Sequence, residues 1–400
     1  MTTLSRPDTT AESRVGVRRR ATMRDVAALA GVGIKTVSRV VNGESGVSPA
    51  MVERVNDAAR ALNYRPDLNA GNLRRSERRS QSLGLVLSSV DNPFAAAIHR
   101  AIEDVAGERG VAVLAGSTDE EPDRERALVA ALAARRVDGL IISAITPDQG
   151  YLRWEHESGT PVVMVDRRAT GLDVDSVVAD NAAGAERATR HLVEHGHRRI
   201  AYLGDLARID TARERHRGFV QALADAGIPA ASVPAADDVH SEEAAEAAVH
   251  ALLTGPEPPT ALFTSQNLIT IGAIRALRAL GLQHRVALVG FDDFQLADLL
   301  EPRVTVIAQD PARIGALAAH RVFERLAHRD LPPETVVVPT RLVARGSGDD
   351  PARLTPTRGR RRRGAVSTRT AGAPRRPLRR PPRGERGLHG LRRLARSAAG

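Results

Sequence analysis

Lys35, Thr36, Ser38, Arg39 and Asn42 fall within a single eight-residue window, and their types suit contact with a nucleic acid. Lys35 or Arg39 can donate to guanine O6 and N7, whereas Ile34 offers only an apolar surface, for example to a thymine methyl. Val37, Val40 and Val41 fall on the other face of a helix drawn over about Ile34–Val41 and read as core. An earlier helix begins at Thr22, an N-cap with Asp25 three residues on at the capping-box position. Val26, Leu29 and Ala30 repeat along it at helical spacing, and Gly31 makes the turn out. A third helix opens with Ser48 as N-cap and Pro49 in its first position, then repeats Val52, Val55, Ala59 and Leu62. Two helices joined by a glycine turn, with basic and hydroxyl residues on the outer face of the second, form a helix-turn-helix.

Other clusters promise less chemistry. In HLVEHGH, His191 and His195 are four apart with Glu194 and His197 close by, superficially a metal site. Gly196 reads as the residue that ends a helix and sends His197 elsewhere, and histidine is favourable near a helix C-terminus. No metal and no cofactor are therefore expected. HExxH and GxSxG are absent, and Lys35 is the only lysine, which rules out a Walker A loop. The chain is not expected to be an enzyme.

Charge is unevenly distributed over the 400 residues. Lys+Arg exceed Asp+Glu by 7 over residues 1–80 and by 15 over 351–400, while residues 81–350 carry a net −12, giving the overall +10. A basic end on an acidic body suits a DNA-binding module carried by a sensor. With no cysteine, disulfides and thiolate metal sites are excluded. No apolar run approaches a membrane span, and no apolar stretch follows the basic residues of the N-terminus, so a cytoplasmic, nucleoid-associated protein without membrane contact is expected.

From Ser82 the texture becomes α/β. Apolar strands such as SLGLVLS, DGLIISA, PVVMVD, IAYLGD, ALFTS, VALVGFDD and VTVIAQD alternate with helices, which implies βαβ units and parallel sheets. The pattern restarts after Asp180 and closes with TVVVPTRLV, so two similar halves in sequence are expected. Residues 1–20 and 348–400 are polar or rich in arginine and proline, and read as a disordered basic arm and a disordered tail.

The run DVAALAGV, KTVSRVVNG, VS and LNYRP resembles the DNA-binding headpiece of lactose-repressor (LacI/GalR) family transcription factors. This resemblance implies an all-α helix-turn-helix headpiece (21–64), a hinge helix and linker (65–80), and an α/β two-lobed periplasmic-binding-protein type I-like domain (81–347) that binds an effector and dimerises. Thr22, Thr36, Ser38 and Asn42 then take positions of phosphate contacts. Leu73 takes that of a minor-groove wedge in a hinge helix that starts at Pro66, with Ala70 against its partner-chain equivalent. The chain departs from the family at Gly33, where a Ser or Thr normally caps the recognition helix, and at Asp67 and Gly71 in the hinge.

On the effector side, the resemblance offers Asp91 and Phe94 in DNPF, Asp166 after PVVMV, Arg215 counted back from Gly218, Asp292 in GFDD and Gln309 in VIAQD. Such carboxylates, a guanidinium and an amide at strand ends suit a sugar or polyol. Ala95 stands where many members have a second aromatic, and Gln266–Asn267 replaces the usual Asn-Asp pair. The reading is thus a repressor, a homodimer or tetramer on a near-palindromic double-stranded operator, controlled by a small molecule. A constitutive regulator with a non-sensing pocket, and a sugar-binding protein without a DNA role, are the alternatives.

Overall fold

A computed structural model describes residues 19–65, 79–349 and 351. Leu73, Ala70 and the other hinge positions from Pro66, like residues 1–18 and the arginine-rich run from 352, lie outside the described residues.

The headpiece is three helices: α1 (Met23–Ala30), α2 (Ile34–Val41) and α3 (Pro49–Ala61). The Thr22–Asp25 capping box is present in both directions, and Gly31 ends α1 in the left-handed region at φ 62°. Arg54 on α3 donates to the Ala30 carbonyl at 3.0 Å, satisfying an acceptor that the end of α1 leaves open. Val26, Ala27, Ala30, Val37, Val55 and Ala58 form the core. Leu29, expected on that face, is 56% exposed; Ala27 takes its place, because an eight-residue helix crossing two others buries a narrow stripe. Gly33 gives α2 no side-chain cap, as its lack of a hydroxyl requires, and Ser48 makes no capping hydrogen bond to α3.

The body holds two six-stranded sheets. The first lobe contains β1 (Ser82–Leu87), α4 (Pro93–Gly107), β2 (Ala112–Ser117), α5 (Pro122–Ala134), β3 (Gly139–Ile142), the short α6 (Arg153–Glu157), β4 (Val162–Val165) and β5 (Asp175–Ala179). The second contains α7 (Asn181–Glu194), β6 (Ile200–Leu203), α8 (Asp210–Asp225), β7 (Ala235–Ala236), α9 (Glu242–Thr254), β8 (Ala261–Thr264), α10 (Asn267–Ala279), β9 (Ala287–Phe291) and β10 (Thr305–Ala308). Strands β1, β3, β4 and β5, and β6, β8 and β9, are buried almost throughout, which is why they read as unbroken apolar runs: helices cover both faces of each sheet.

The halves are not simply consecutive. After β10 the chain returns to the first lobe as α11 (Pro311–Ala327), whose Ile314, Ala318 and Val322 pack in the first lobe's core with Ile98 and Ile102 of α4. The closing run TVVVPTRLV holds two elements: β11 (Thr335–Val338) pairs parallel to β5, and β12 (Arg341–Val343) pairs antiparallel to β10. The sheet orders are β11-β5-β4-β3-β1-β2 and β12-β10-β9-β8-β6-β7, so each lobe is completed by residues from the end of the chain.

Polar contacts fix these crossings. The Asp180 carboxylate accepts the Thr340 N–H at 2.6 Å and lies 3.1 Å from Arg187, which also donates to the Thr340 carbonyl at 2.9 Å. Asp175, 1% exposed at the first position of β5, accepts from Arg325 Nε at 2.7 Å, Arg321 at 2.8 Å and the Glu334 N–H at 2.8 Å. One carboxylate thereby ties α11 and the entry to β11 to the sheet they rejoin. Burial by itself would raise its pKa, but the hydrogen bonds from Arg325, Arg321 and Glu334 hold it below the usual value. Asp175→Asn should destabilise the protein by about 3 kcal/mol, since it leaves the buried Arg325 without a counter-ion, whereas Arg321 keeps Glu324 and Glu334. A carboxylate pKa depressed on folding contributes stability above its unfolded value that is lost as pH falls through the folded one. Denaturant unfolding of the variant should accordingly show less acid sensitivity below about pH 4 than the parent.

Candidate functional site

Two surfaces qualify, and the first is the outer face of α2. Ile34 is 47% exposed and the side chain of Arg39 is 57% exposed. Lys35 is also exposed, whereas Thr36, Ser38 and Asn42 are half-buried. Val37 is buried and Val40 and Val41 pack partly against the core, so the two faces divide as their residue types require. Sequence reading missed Glu44. Its carboxylate lies 3.8 Å from Arg39 Nε and accepts from Asn42 at 3.3 Å, so it restrains two of the predicted contact residues from just beyond the helix.

The second surface lies where the carboxyl ends of the strands of the two sheets meet. Asp166 follows β4 and Asp292 follows β9, and the two are built alike. Each has a positive φ, 67° and 70°, and each donates its N–H to the next strand, to Val177 and Ile307. The chain leaves the strand sharply at both places and turns a carboxylate into the seam. Asp292 is 3.5 Å from Arg215 and accepts from Gln309 Nε2 at 2.6 Å.

Arg215 is anchored on every side. Its Nε donates to Asn181 Oδ1 at 2.8 Å, its Nη1 to the Ser265 carbonyl at 2.7 Å, and its guanidinium lies 3.9 Å from the centre of the Phe291 ring. Gly218, one turn further along α8, makes this possible. A Cβ there would sit 2.1 Å from the Ala182 carbonyl, so only glycine lets α8 approach the first turn of α7 closely enough for Arg215 to reach Asn181. The helix starts at Asp210, which places Arg215 in its second turn.

Asp166, Arg215, Asp292 and Gln309 are thus brought together; Asp91 and Phe94 are not. Asp91 is exposed with its N–H turned to Ser89, and Phe94 packs partly on the first lobe's core. The neighbour Asn92 crosses the seam instead: its side-chain amide and that of Asn267 bond reciprocally, at 3.1 and 3.4 Å. Asn267 belongs to the Gln266–Asn267 pair, and Gln266 itself caps α10 by accepting from the Leu268 N–H.

Further residues complete the seam. Arg167 and Glu120, both buried, pair through two contacts at 2.6 and 3.1 Å, and Arg167 also donates to the Ala144 carbonyl. From the second lobe, Arg208 donates to the Glu120 carbonyl at 3.1 Å, and His240 pairs with Asp205 at 2.6 Å. That hydrogen bond raises the His240 pKa. Glu120 and Arg167 sit beside strand ends in a chain where one residue in four is charged, so composition alone could not single them out.

Three buried polar atoms here lack a hydrogen-bond partner: Asp166 Oδ1, Gln309 Oε1 and Arg167 Nε, the last lying 3.7 Å from Asp166 Oδ2. Two are acceptors and one is a donor, a set that hydroxyl groups satisfy in both directions. Burial raises the Asp166 pKa to about 6, opposed by Arg167 and Arg215 and reinforced by Asp292 and Glu120. Beyond the C-terminal end of α7, after Gly196 at φ 88°, His197 Nδ1 lies 2.9 Å from Thr260 Oγ1, and His197 is not part of the cluster that His191 joins. His191 and His195 instead meet Asp349, which no local motif reveals.

Comparison with known proteins accords with both surfaces. Residues 22–67 match the family model of bacterial regulatory proteins of the lacI family, and residues 80–346 match that of periplasmic binding proteins and the sugar-binding domain of the LacI family. The HTH-type transcriptional repressor PurR of Mannheimia succiniciproducens is 32% identical over 82% of this chain and 98% of its own length. The ribose operon repressor of Halalkalibacterium halodurans is 32% identical over 81% and 96%. Among solved structures, a lac repressor dimer bound to operator and an anti-inducer superposes with a TM-score of 0.73 at 28% identity, covering 82% of this chain and 99% of that one. A complex of the transcriptional regulator CelR with cellobiose gives 0.60 at 32% identity, covering 82% and 100%.

A carboxyl group whose folded pKa is raised contributes stability that is full below its unfolded pKa and is lost as pH rises through the folded value. Between about pH 4 and pH 7 the parent should therefore lose up to about 2 kcal/mol of stability from Asp166. Asp166→Asn should remove that component, and chemical denaturation across this pH range would show an unchanged slope if the carboxylate were well solvated.

Proposed function

The chain belongs to the LacI family of bacterial regulatory proteins, and from that premise we propose that it is a repressor released from or driven to its operator by a neutral sugar or polyol held between the two lobes. The observation that carries this reading is the group Asp166, Arg167, Arg215, Asp292 and Gln309, with three buried polar atoms left for a ligand to satisfy. Adjacent hydroxyls of a sugar donate to the carboxylates and accept from the guanidinium nitrogens. The charge balance argues for a neutral ligand. Arg167 is already neutralised by Glu120, and Arg215 by Asp292 with two further acceptors, so neither offers an uncommitted cation to a phosphate group. In this respect the cellobiose complex of CelR is the more apt relative than one whose ligand is phosphorylated.

Binding would act through the crossings. Both lobes contribute to the group, so a ligand bridging Asp166 and Asp292 favours one separation of the strand ends over another. That difference in affinity is all a population shift needs. Operator contact is assigned to Ile34, Lys35 and Arg39 for base edges, to Thr22, Thr36, Ser38 and Asn42 for phosphates, and to Leu73 as the groove wedge. Two copies of the chain would read two half-sites related by a two-fold axis. The Asn92–Asn267 bond between the lobes favours a second reading, in which closure needs no ligand and the pocket no longer senses one.

The test is binding to DNA from upstream of the protein's own gene, with and without a panel of neutral sugars, polyols and their phosphates. One neutral compound should change the affinity about tenfold or more, and Asp166→Asn or Arg215→Lys should abolish its effect while leaving ligand-free DNA binding intact. Indifference to the whole panel would favour the non-sensing reading. Arg39→Ala should cost about 1–3 kcal/mol of specific binding and relax selection at one base pair of each half-site. Leu73→Ala should weaken specific far more than non-specific binding, and equal loss of both would remove its role as a wedge. Footprinting that protects only a single half-site would overturn the dimer.

A further inference from the structure

Two imidazoles and a carboxylate converge at the C-terminal end of α7, far from the seam. His191 Nε2 and Asp349 Oδ1, 158 positions apart in sequence, lie 3.0 Å from each other. His195 Nε2 is 3.9 Å from the same oxygen, and the two imidazole centres are 4.4 Å apart. One ligand atom from each residue lies within 4.8 Å of the other two.

The surroundings orient these atoms. His195 Nδ1 is 2.8 Å from the His191 carbonyl, which can only accept, so Nδ1 carries the proton and the Nε2 lone pair faces the cluster. A second hydrogen bond that fixes the tautomer in this way is characteristic of metal-bound imidazoles. Asp349 is held by its own segment: Ser347 bonds the Arg303 and Leu288 carbonyls and the Thr305 N–H, Gly348 donates to Thr305 Oγ1, and the Asp349 N–H returns to Gly346. Side-chain exposure rises from 10% at His191 to 34% at His195 and 45% at Asp349, so the cluster is anchored on one side and open to water on the other.

We propose that His191, His195 and Asp349 form a binding site for a divalent cation of the zinc class, with water completing the shell. Two neutral imidazoles and one carboxylate are a donor set suited to zinc and its late first-row neighbours. Metal–ligand bonds of about 2.0–2.2 Å in a tetrahedral shell put donor atoms about 3.3–3.5 Å apart, which the two imidazole-to-carboxylate distances bracket. His191 and His195 present adjacent positions on one helix face, and the third ligand arrives from the segment after β12. The ion would cross-link that segment to α7, the helix whose first residue, Asn181, holds Arg215 some 15–20 Å away along its axis. It is a site separate from the effector group and independent of it.

The experiment uses the full chain without a polyhistidine tag, stripped with EDTA, dialysed and titrated with zinc chloride in competition with a chromophoric chelator. One equivalent should bind saturably at micromolar or tighter affinity, and cobalt substitution should give the visible absorption of a low-coordinate nitrogen–oxygen site. His195→Gln and Asp349→Asn should each weaken zinc binding about tenfold or more without altering the circular dichroism of the metal-free protein. Both replace partly exposed side chains, so neither depends on a buried residue being tolerated. Absence of a saturable equivalent would overturn the site. So would zinc binding that either variant leaves unchanged, the first case pointing to one of the other histidines and the second to a simple pair on the helix surface.

Discussion

The body depends on a constraint of connectivity: its chain passes between two sheets three times, and every passage lies at the carboxyl ends of strands. Strand ends expose peptide groups that no ladder satisfies, so each passage needs side chains to complete its hydrogen bonds. Asp180 does this for two passages at once, since it closes the turn from β5 into α7 and also receives the Thr340 N–H between β11 and β12. Gln309 stands at the remaining passage and is committed through Asp292 to the strand beside it. The same few residues that hold the lobes in sequence therefore border the place where a ligand would lie.

This arrangement explains why the seam is polar, while the sheets on either side are almost wholly apolar. Helices cover both faces of each sheet, leaving only strand ends to carry chemistry. The equivalent backbone turns at Asp166 and Asp292 put one carboxylate from each lobe into a shared electrostatic field. They differ in their partners. Asp292 is engaged by Arg215 and Gln309, whereas burial leaves Asp166 with an oxygen unmatched and a raised pKa. A ligand held as proposed would find one side of the group prearranged and the other in need of a donor, and preorganisation of this kind favours affinity by reducing what must be ordered on binding.

Local rules governed the headpiece. Its capping box, glycine turn and α2 boundaries follow from residues within four positions of one another, so they were legible before any tertiary contact was known. Even there Leu29 was misplaced, because helical spacing names a face, whereas burial depends on how a neighbouring helix crosses it.

The helix-turn-helix, the alternation of strands and helices, and the strand-end positions of Asp166 and Asp292 could be read along the chain, because these depend on side-chain periodicity and on turn chemistry along a continuous stretch. Gly218 marked the segment that holds Arg215, but the reason for the glycine, contact with the Ala182 carbonyl, appears only when α8 lies on α7. The division of TVVVPTRLV between two sheets, the return of α11 to the first lobe, the pairing of Glu120 with Arg167, and the meeting of Asp349 with two histidines belonged to tertiary structure alone. In each, the partner lies tens to more than a hundred residues away, and no local energy term distinguishes it from the other charged residues of the chain until the sheets have formed and brought the two together.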